Sequence, residues 1–207
     1  MRYIFIFLFF LVSNLIAQED LKQVPLGVVK LLKAYPSQIK EYDGTFIILK
    51  NGTKIRYKEN IEKPHNELIN SSDLGDIFYY NYPKGKIENI EKNHDPGRIR
   101  NEELLKQMYG STSAEVQKNL VTITWCPNLV NQKLRVNKIN GVDKQLQKIS
   151  EELDKHPELK DYLSSSGVFN WRKIKGTARL SSDSLCTAMD INVKYANYWQ
   201  GDCRGCS

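Results

Sequence analysis

The chain has 207 residues, 41% apolar and 26% charged, an ordinary globular mixture that excludes wholesale disorder and is long enough for one domain with a real core. Its net charge of +6 is scattered rather than gathered into a block. That argues against nucleic-acid binding and leaves a diffuse positive field suited to meeting anionic polymers of a cell envelope.

Arg2 precedes an unbroken apolar run from Tyr3 to Val12, and Asn14 to Ala17 ends on a small residue. This is the pattern of a secretory signal peptide over residues 1–17, cut after Ala17. The apolar run is shorter than the roughly 20 residues that span a bilayer. The expectation is export to the periplasm or cell envelope, with no stable membrane span once the leader is removed.

Residues 18–120 read as an N-terminal region of short elements. Leu21 to Tyr35 carries helical spacing through Val24, Val28, Leu31 and Leu32, with Pro25 suited to its first turn and Pro36 closing it. Phe46 to Lys50 and Thr53 to Tyr57 flank Asn51-Gly52, which predicts a β-hairpin on a two-residue type I′ turn. Residues 58–100 are rich in turn formers and predict loop with small strands, Ile77 to Tyr82 among the apolar pieces. Glu102 to Tyr109 reads as a helix ended by Gly110. Thr112 with Glu115 forms a capping box for a second helix reaching about Leu120.

From residue 121 the period changes. Val121, Ile123 and Trp125 alternate with Thr122 and Thr124, and Leu134 and Val136 repeat the alternation, which predicts half-buried strands. Val142, Leu146, Ile149 and Leu153 form one face of an amphipathic helix expected to pack across that sheet. A helical turn over Glu158 to Leu163 and a Ser/Gly loop follow, then a stretch from Val168 to Asn192 dense in strand formers. The order of elements predicts an α+β domain over residues 121–207.

Phe169 to Asn192 contains Phe169-Asn170-Trp171-Arg172, Gly176-Thr177, Arg179-Leu180-Ser181, Ser184, Ala188 and Asp190-Ile191-Asn192. It resembles the hallmark segment of the D-alanyl-D-alanine carboxypeptidase-like zinc peptidases. Asp95 to Arg100, Met108-Tyr109-Gly110, Trp125-Cys126-Pro127, Asn140-Gly141-Val142 and Tyr198-Trp199 resemble further motifs of the exported branch. The resemblance spans about residues 35–200 and implies a hedgehog/D,D-peptidase-like fold. It also implies zinc as cofactor, peptidoglycan stem peptides as partners, Asp190 as a metal ligand, and Arg179 on the substrate and developing oxyanion. Catalysis of that kind needs three protein ligands, an open position for water and a nearby base.

This sequence departs from the pattern inside the site. Asp183 stands where the family has its first zinc-binding histidine, leaving Asp183 and Asp190 as the candidate metal ligands, and Cys186 stands where the family has glycine. Asp183 brings a harder, negatively charged ligand. The family's third ligand and catalytic glutamate lie further on, yet only fifteen residues follow Asn192 and none is His or Glu. The expectation is an inactive, C-terminally incomplete member of the family, of marginal stability through exposed strand edges. The alternative is a non-catalytic product: a truncated or split-gene remnant, or a module that binds cell-wall peptides.

His65, His94 and His156 are expected to be ordinary exposed or locally bonded histidines. Trp125, Trp171 and Trp199 are expected to pack the core or cleft edge, and Arg98 and Arg100 to fix a loop through hydrogen bonds. Cys126, Cys186, Cys203 and Cys206 allow three disulfide pairings that spacing leaves open. Cys203-x-x-Cys206 has no second such pair to complete a zinc ribbon.

Overall fold

The computed structural model describes residues 24–58, 62–82, 84–85, 93–94, 96–164 and 166–195. The signal peptide expected over residues 1–17, Tyr198-Trp199, Cys203 and Cys206 lie outside them. The described chain is mixed α+β, with two small sheets and short helices. No helix among the described residues is long and apolar enough to cross a membrane.

Helix α1, Leu26–Ala34, starts one residue after Pro25, which sits at the N-cap rather than in the first turn. Val28 and Leu31 are its buried residues on the apolar side. Strands β1 (Ile39–Tyr42), β2 (Phe46–Leu49) and β3 (Lys54–Arg56) form an antiparallel three-stranded sheet in sequence order. The hairpin between β2 and β3 exists, but its turn is not type I′. Gly52 alone has positive φ, at 88°, while Asn51 does not. Leu49 N–H bonds Thr53 O at 2.8 Å and Gly52 N–H bonds Leu49 O at 2.9 Å, giving a three-residue loop closed by a left-handed glycine. The Asn51 side chain accepts from Thr53 N–H at 3.0 Å, so it turns the chain without entering the left-handed region itself.

Residues 58–100 contain no strand among the described residues. Helix α2, His65–Asn70, replaces the expected loop, and Asp76–Phe78 is a 3-10 turn rather than the start of a strand. The segment is organised by a cation: Lys63 Nζ lies 2.6 Å from Asp76 Oδ2 and 2.8 Å from Asp73 Oδ2. Burial alone would lower the Lys63 pKa, but hydrogen bonds and charge from the two aspartates outweigh it and raise it.

Helix α3, Glu102–Tyr109, ends at Gly110 with φ 119°. Helix α4, Ser113–Gln117, carries the reciprocal Thr112–Glu115 capping box but stops short of Leu120, because Leu120 already belongs to the next strand. Strands β4 (Leu120–Trp125) and β5 (Gln132–Asn137) pair antiparallel along their whole length. Helix α5, Val142–Leu153, packs on both strands.

The apolar stripe of α5 is only partly buried. The only fully buried residue of the helix is Ser150, whose Oγ accepts from Cys126 N–H at 2.7 Å. Val142 packs partly buried against one apolar core, and Leu146 with Leu153 against a second. Val142, Leu146 and Ile149 also line an open groove of about 630 Å³, shared with Leu105, Met108 and Met189. Ile149 is 50% exposed. Helix α6, Lys160–Leu163, completes the regular elements.

Two cores result. The first joins Val28 and Leu31 of α1 to Ile47, Leu49 and Ile55 of the first sheet, to Leu104 and Met108 of α3, and to Leu185. Residues from both sides of position 120 therefore share one apolar cluster. The second gathers Trp125, Cys126, Leu134, Val136, Leu163, Val168 and Cys186. Trp125 is 1% exposed, and its indole N–H donates to Leu163 O at 3.2 Å. Trp171 packs partly buried against the first core.

Candidate functional site

The segment from Val168 to Asn192, dense in strand formers, forms no regular strand. It is a chain of turns held by side chains and by two isolated bridges, Lys173 with Leu180 and Gly167 with Asp190. Within the first bridge, Thr177 N–H reaches Ile174 O at 3.0 Å and Gly176 takes a φ of 78°. The tight turn brings Arg179 back beside Ile174. Ser181 N–H then bonds Arg172 O at 2.9 Å, setting Arg172 next to a 3-10 turn over Ser182–Leu185.

That turn carries Asp183. Arg172 Nη2 donates to Asp183 Oδ2 at 2.6 Å, and Ser181 Oγ donates to the same oxygen at 2.8 Å. Ser184 ties the arrangement together: its hydroxyl donates to Arg172 O at 2.8 Å and accepts from Arg172 N–H at 2.9 Å. Asp183 is buried while Arg172 is half-exposed, so one carboxylate is held inside by a cation reaching in from the surface.

Cys186 ends the turn in the left-handed region, φ 57° and ψ 36°. Glycine is the residue that adopts this conformation at no steric cost, so the backbone at 186 holds a conformation that favours glycine over cysteine. The Cys186 side chain is buried in the second core, and burial pushes its thiol up to about 12, with a backbone hydrogen bond from Asn137 opposing. Cys126 and Cys186 are both buried free thiols. Burial also raises the Cys126 pKa, against a hydrogen bond from Ser150.

Asp190 follows on an exposed bridge, exchanging backbone bonds of 2.9 and 2.8 Å with Gly167. Partial desolvation raises its carboxyl pKa. The negative charge of Asp183 adds to the rise, and Arg172 opposes it. The two aspartates therefore lie within electrostatic reach of each other.

Arg179 takes a different position. It is 8% exposed, donating through Nε to Glu102 Oε1 at 3.2 Å and through Nη2 to Arg98 O at 3.1 Å. Arg100 Nη2 donates to Leu180 O at 3.3 Å. Arg98 and Arg100 thus tie their loop to the 172–181 turn through hydrogen bonds. Arg98, Arg100, Arg172, Lys175 and Arg179 also wall a cavity of about 450 Å³. Arg172 is the link, touching Asp183 and lining the cavity with Arg179.

The histidines stay apart from the aspartates. His156 Nδ1 lies 3.1 Å from Glu158, His94 packs against Tyr80, and His65 heads α2. A zinc site needs three protein ligands whose lone pairs face one point. Among the described residues no three His, Cys, Asp or Glu side chains gather in that way. The charge of Asp183 is already met by Arg172. The pair Asp183 and Asp190 does not by itself fit the metal.

Sequence reasoning missed Arg172, Ser181 and Glu102 as partners of the singled-out residues. The only available signal was Arg172 within the hallmark segment, eleven positions before Asp183, and spacing does not reveal a pairing closed by a turn. Comparison with family models, with curated proteins and with solved structures gave no match to this chain.

Proposed function

We propose that this chain is an exported protein of the D,D-carboxypeptidase-like class, on a hedgehog/D,D-peptidase-like fold, that engages peptidoglycan stem peptides in the envelope without hydrolysing them. The class rests on the resemblance of the Phe169–Asn192 segment. The absence of hydrolysis rests on one observation, the 2.6 Å contact of Arg172 with Asp183. A guanidinium on the first of the two candidate ligands supplies the positive charge that a divalent cation would otherwise bring, and a bound cation would have to displace it. A carboxylate so paired is a poor metal ligand and no base for an attacking water. Arg179, sealed against Glu102, is a framework residue in this reading.

The test is direct. The full chain, dialysed and then given zinc, is assayed for bound metal and for release of D-alanine from a stem peptide ending in D-Ala-D-Ala, with peptide binding followed by calorimetry. The expected result is substoichiometric zinc, no D-alanine and measurable peptide affinity. Chelator-sensitive turnover would remove the non-hydrolytic reading, and failure to bind the peptide would remove the peptide partner.

A further inference from the structure

The cavity walled by Arg98, Arg100, Arg172, Lys175 and Arg179 has five cationic lining residues and no carboxylate among its lining residues. Its volume of about 450 Å³ is in the range of small-molecule sites. Two acids touch its walls from outside, Glu102 on Arg179 and Asp183 on Arg172. Leaving Arg98 out of the balance altogether, four cations meet two contacting carboxylates, and the charge of Asp190 also reaches Arg172, so the local surplus is one to two positive charges. Lys106, also on Glu102 at 3.1 Å, does nothing to reduce that surplus.

Such crowding is unfavourable without a counter-charge. Burial lowers the Arg100 pKa most, and the positive charge of Arg179 lowers it further. Arg100 Nε is enclosed with no hydrogen-bond acceptor, an unfavourable state for a buried charged donor. Thr177 and Asn70 add neutral polar groups to the lining. Guanidinium forks match the oxygens of phosphate and carboxylate alike, and a phosphoryl group offers the higher charge and the three oxygens that several converging cations can share.

We propose that this cavity is an anion site for a doubly charged phosphoryl group, formed by Arg100, Arg172 and Lys175 against the Arg179 wall. Of its side chains only Arg172 also enters the non-hydrolytic reading, through Asp183; Lys175 does not, so a test at Lys175 separates the two.

Inorganic phosphate is the probe, titrated calorimetrically into the full chain at pH 8 and constant ionic strength, with chloride and acetate as comparison anions. The expected result is one phosphate per chain, no saturable chloride binding, and acetate weaker by about ten-fold, the equivalent of one lost charge-assisted contact. Lys175 is exposed, so its substitution tests the site without disturbing the core. Lys175→Gln is expected to weaken phosphate by about five-fold or more, and Lys175→Glu to abolish it, with the unfolding midpoint in phosphate-free buffer unchanged. Absence of phosphate binding, equal binding of acetate or chloride, or indifference to both Lys175 variants would each overturn the proposal. Stem-peptide affinity, measured on the same variants, reports on the peptide reading independently.

Discussion

Arg172 and Asp183 stand 2.6 Å apart, the first with 47% of its side chain exposed and the second with 7%. The asymmetry decides which partner suffers when the pair is broken. Removing the cation strands a buried charge, whereas removing the carboxylate frees a side chain that water can solvate. Arg172→Met is therefore expected to destabilise the fold by about 2 kcal/mol, below the usual cost for a fully buried pair because solvent reaches Arg172. Asp183→Asn keeps an acceptor for Ser181 and should cost less. Urea unfolding of both single variants and the double variant measures this; equal single costs would remove the asymmetry, and additivity in the double variant would mean that the contact contributes nothing.

Cys186 holds a left-handed backbone with a buried side chain, two demands that act in opposite directions. Cys186→Ala keeps the conformational cost and loses the sulfur, while Cys186→Gly loses the sulfur and the cost together. The left-handed conformation costs roughly 1–2 kcal/mol for a residue with Cβ, partly offset by the entropy glycine gains when unfolded. The glycine variant is expected to be more stable than the alanine variant by about 1 kcal/mol. Melting of the two side by side gives the answer, and an alanine variant at least as stable would show that residue 186 is unstrained.

The same thiol predicts an alkaline weakness. Its folded pKa, pushed up to about 12 by burial, lies above that of a free thiol, so the folded state keeps its proton where the unfolded chain has lost it. The thiol's contribution to stability is full below the free-thiol pKa and is lost progressively as pH rises from there towards about 12. Unfolding midpoints taken between neutral pH and pH 10.5 should fall more steeply for the native chain than for Cys186→Ala. Parallel curves would mean that the thiol is not desolvated in the fold.

Gly27 lies in α1, where helix propensity alone favours alanine by about 1 kcal/mol. A Cβ at this position would run into the Tyr57 hydroxyl and come within 2.6 Å of the Phe78 ring. Gly27→Ala is expected to destabilise the protein by about 1–2 kcal/mol net, because overpacking against two rings outweighs the propensity gain. A stabilised variant, read by thermal unfolding, would show that α1 can shift away from both rings.

Much of the local structure was legible in the residues. Gly110 ended α3, Thr112 and Glu115 capped α4, the alternation from Val121 marked β4, and the spacing from Val142 marked α5. Each signal acts within a few residues, through a hydrogen bond or a periodicity that neighbours along the chain complete by themselves. The turn at Asn51-Gly52 was read as a hairpin but with the wrong loop, because Asn51 can either take positive φ or lend its side-chain oxygen to Thr53. The Asn51 side chain also reaches Gln107 in α3 at 3.1 Å.

The site was legible only as a set of names. Arg179, Asp183 and Asp190 were singled out by their place in a motif, yet their partners come from turns and distant segments: Arg172 across a bridge, and Glu102 seventy-seven positions away.

By itself the sequence determined the mixed α+β character and the caps and periods of most helices and strands. Only the tertiary structure decided that Asp183 is neutralised by Arg172, that the apolar stripe of α5 borders a groove while Ser150 is buried, and that five cations share one cavity. The physical reason is range: caps and periodicity act between near neighbours in the chain. Charge balance and burial depend on whatever the fold carries in from far away.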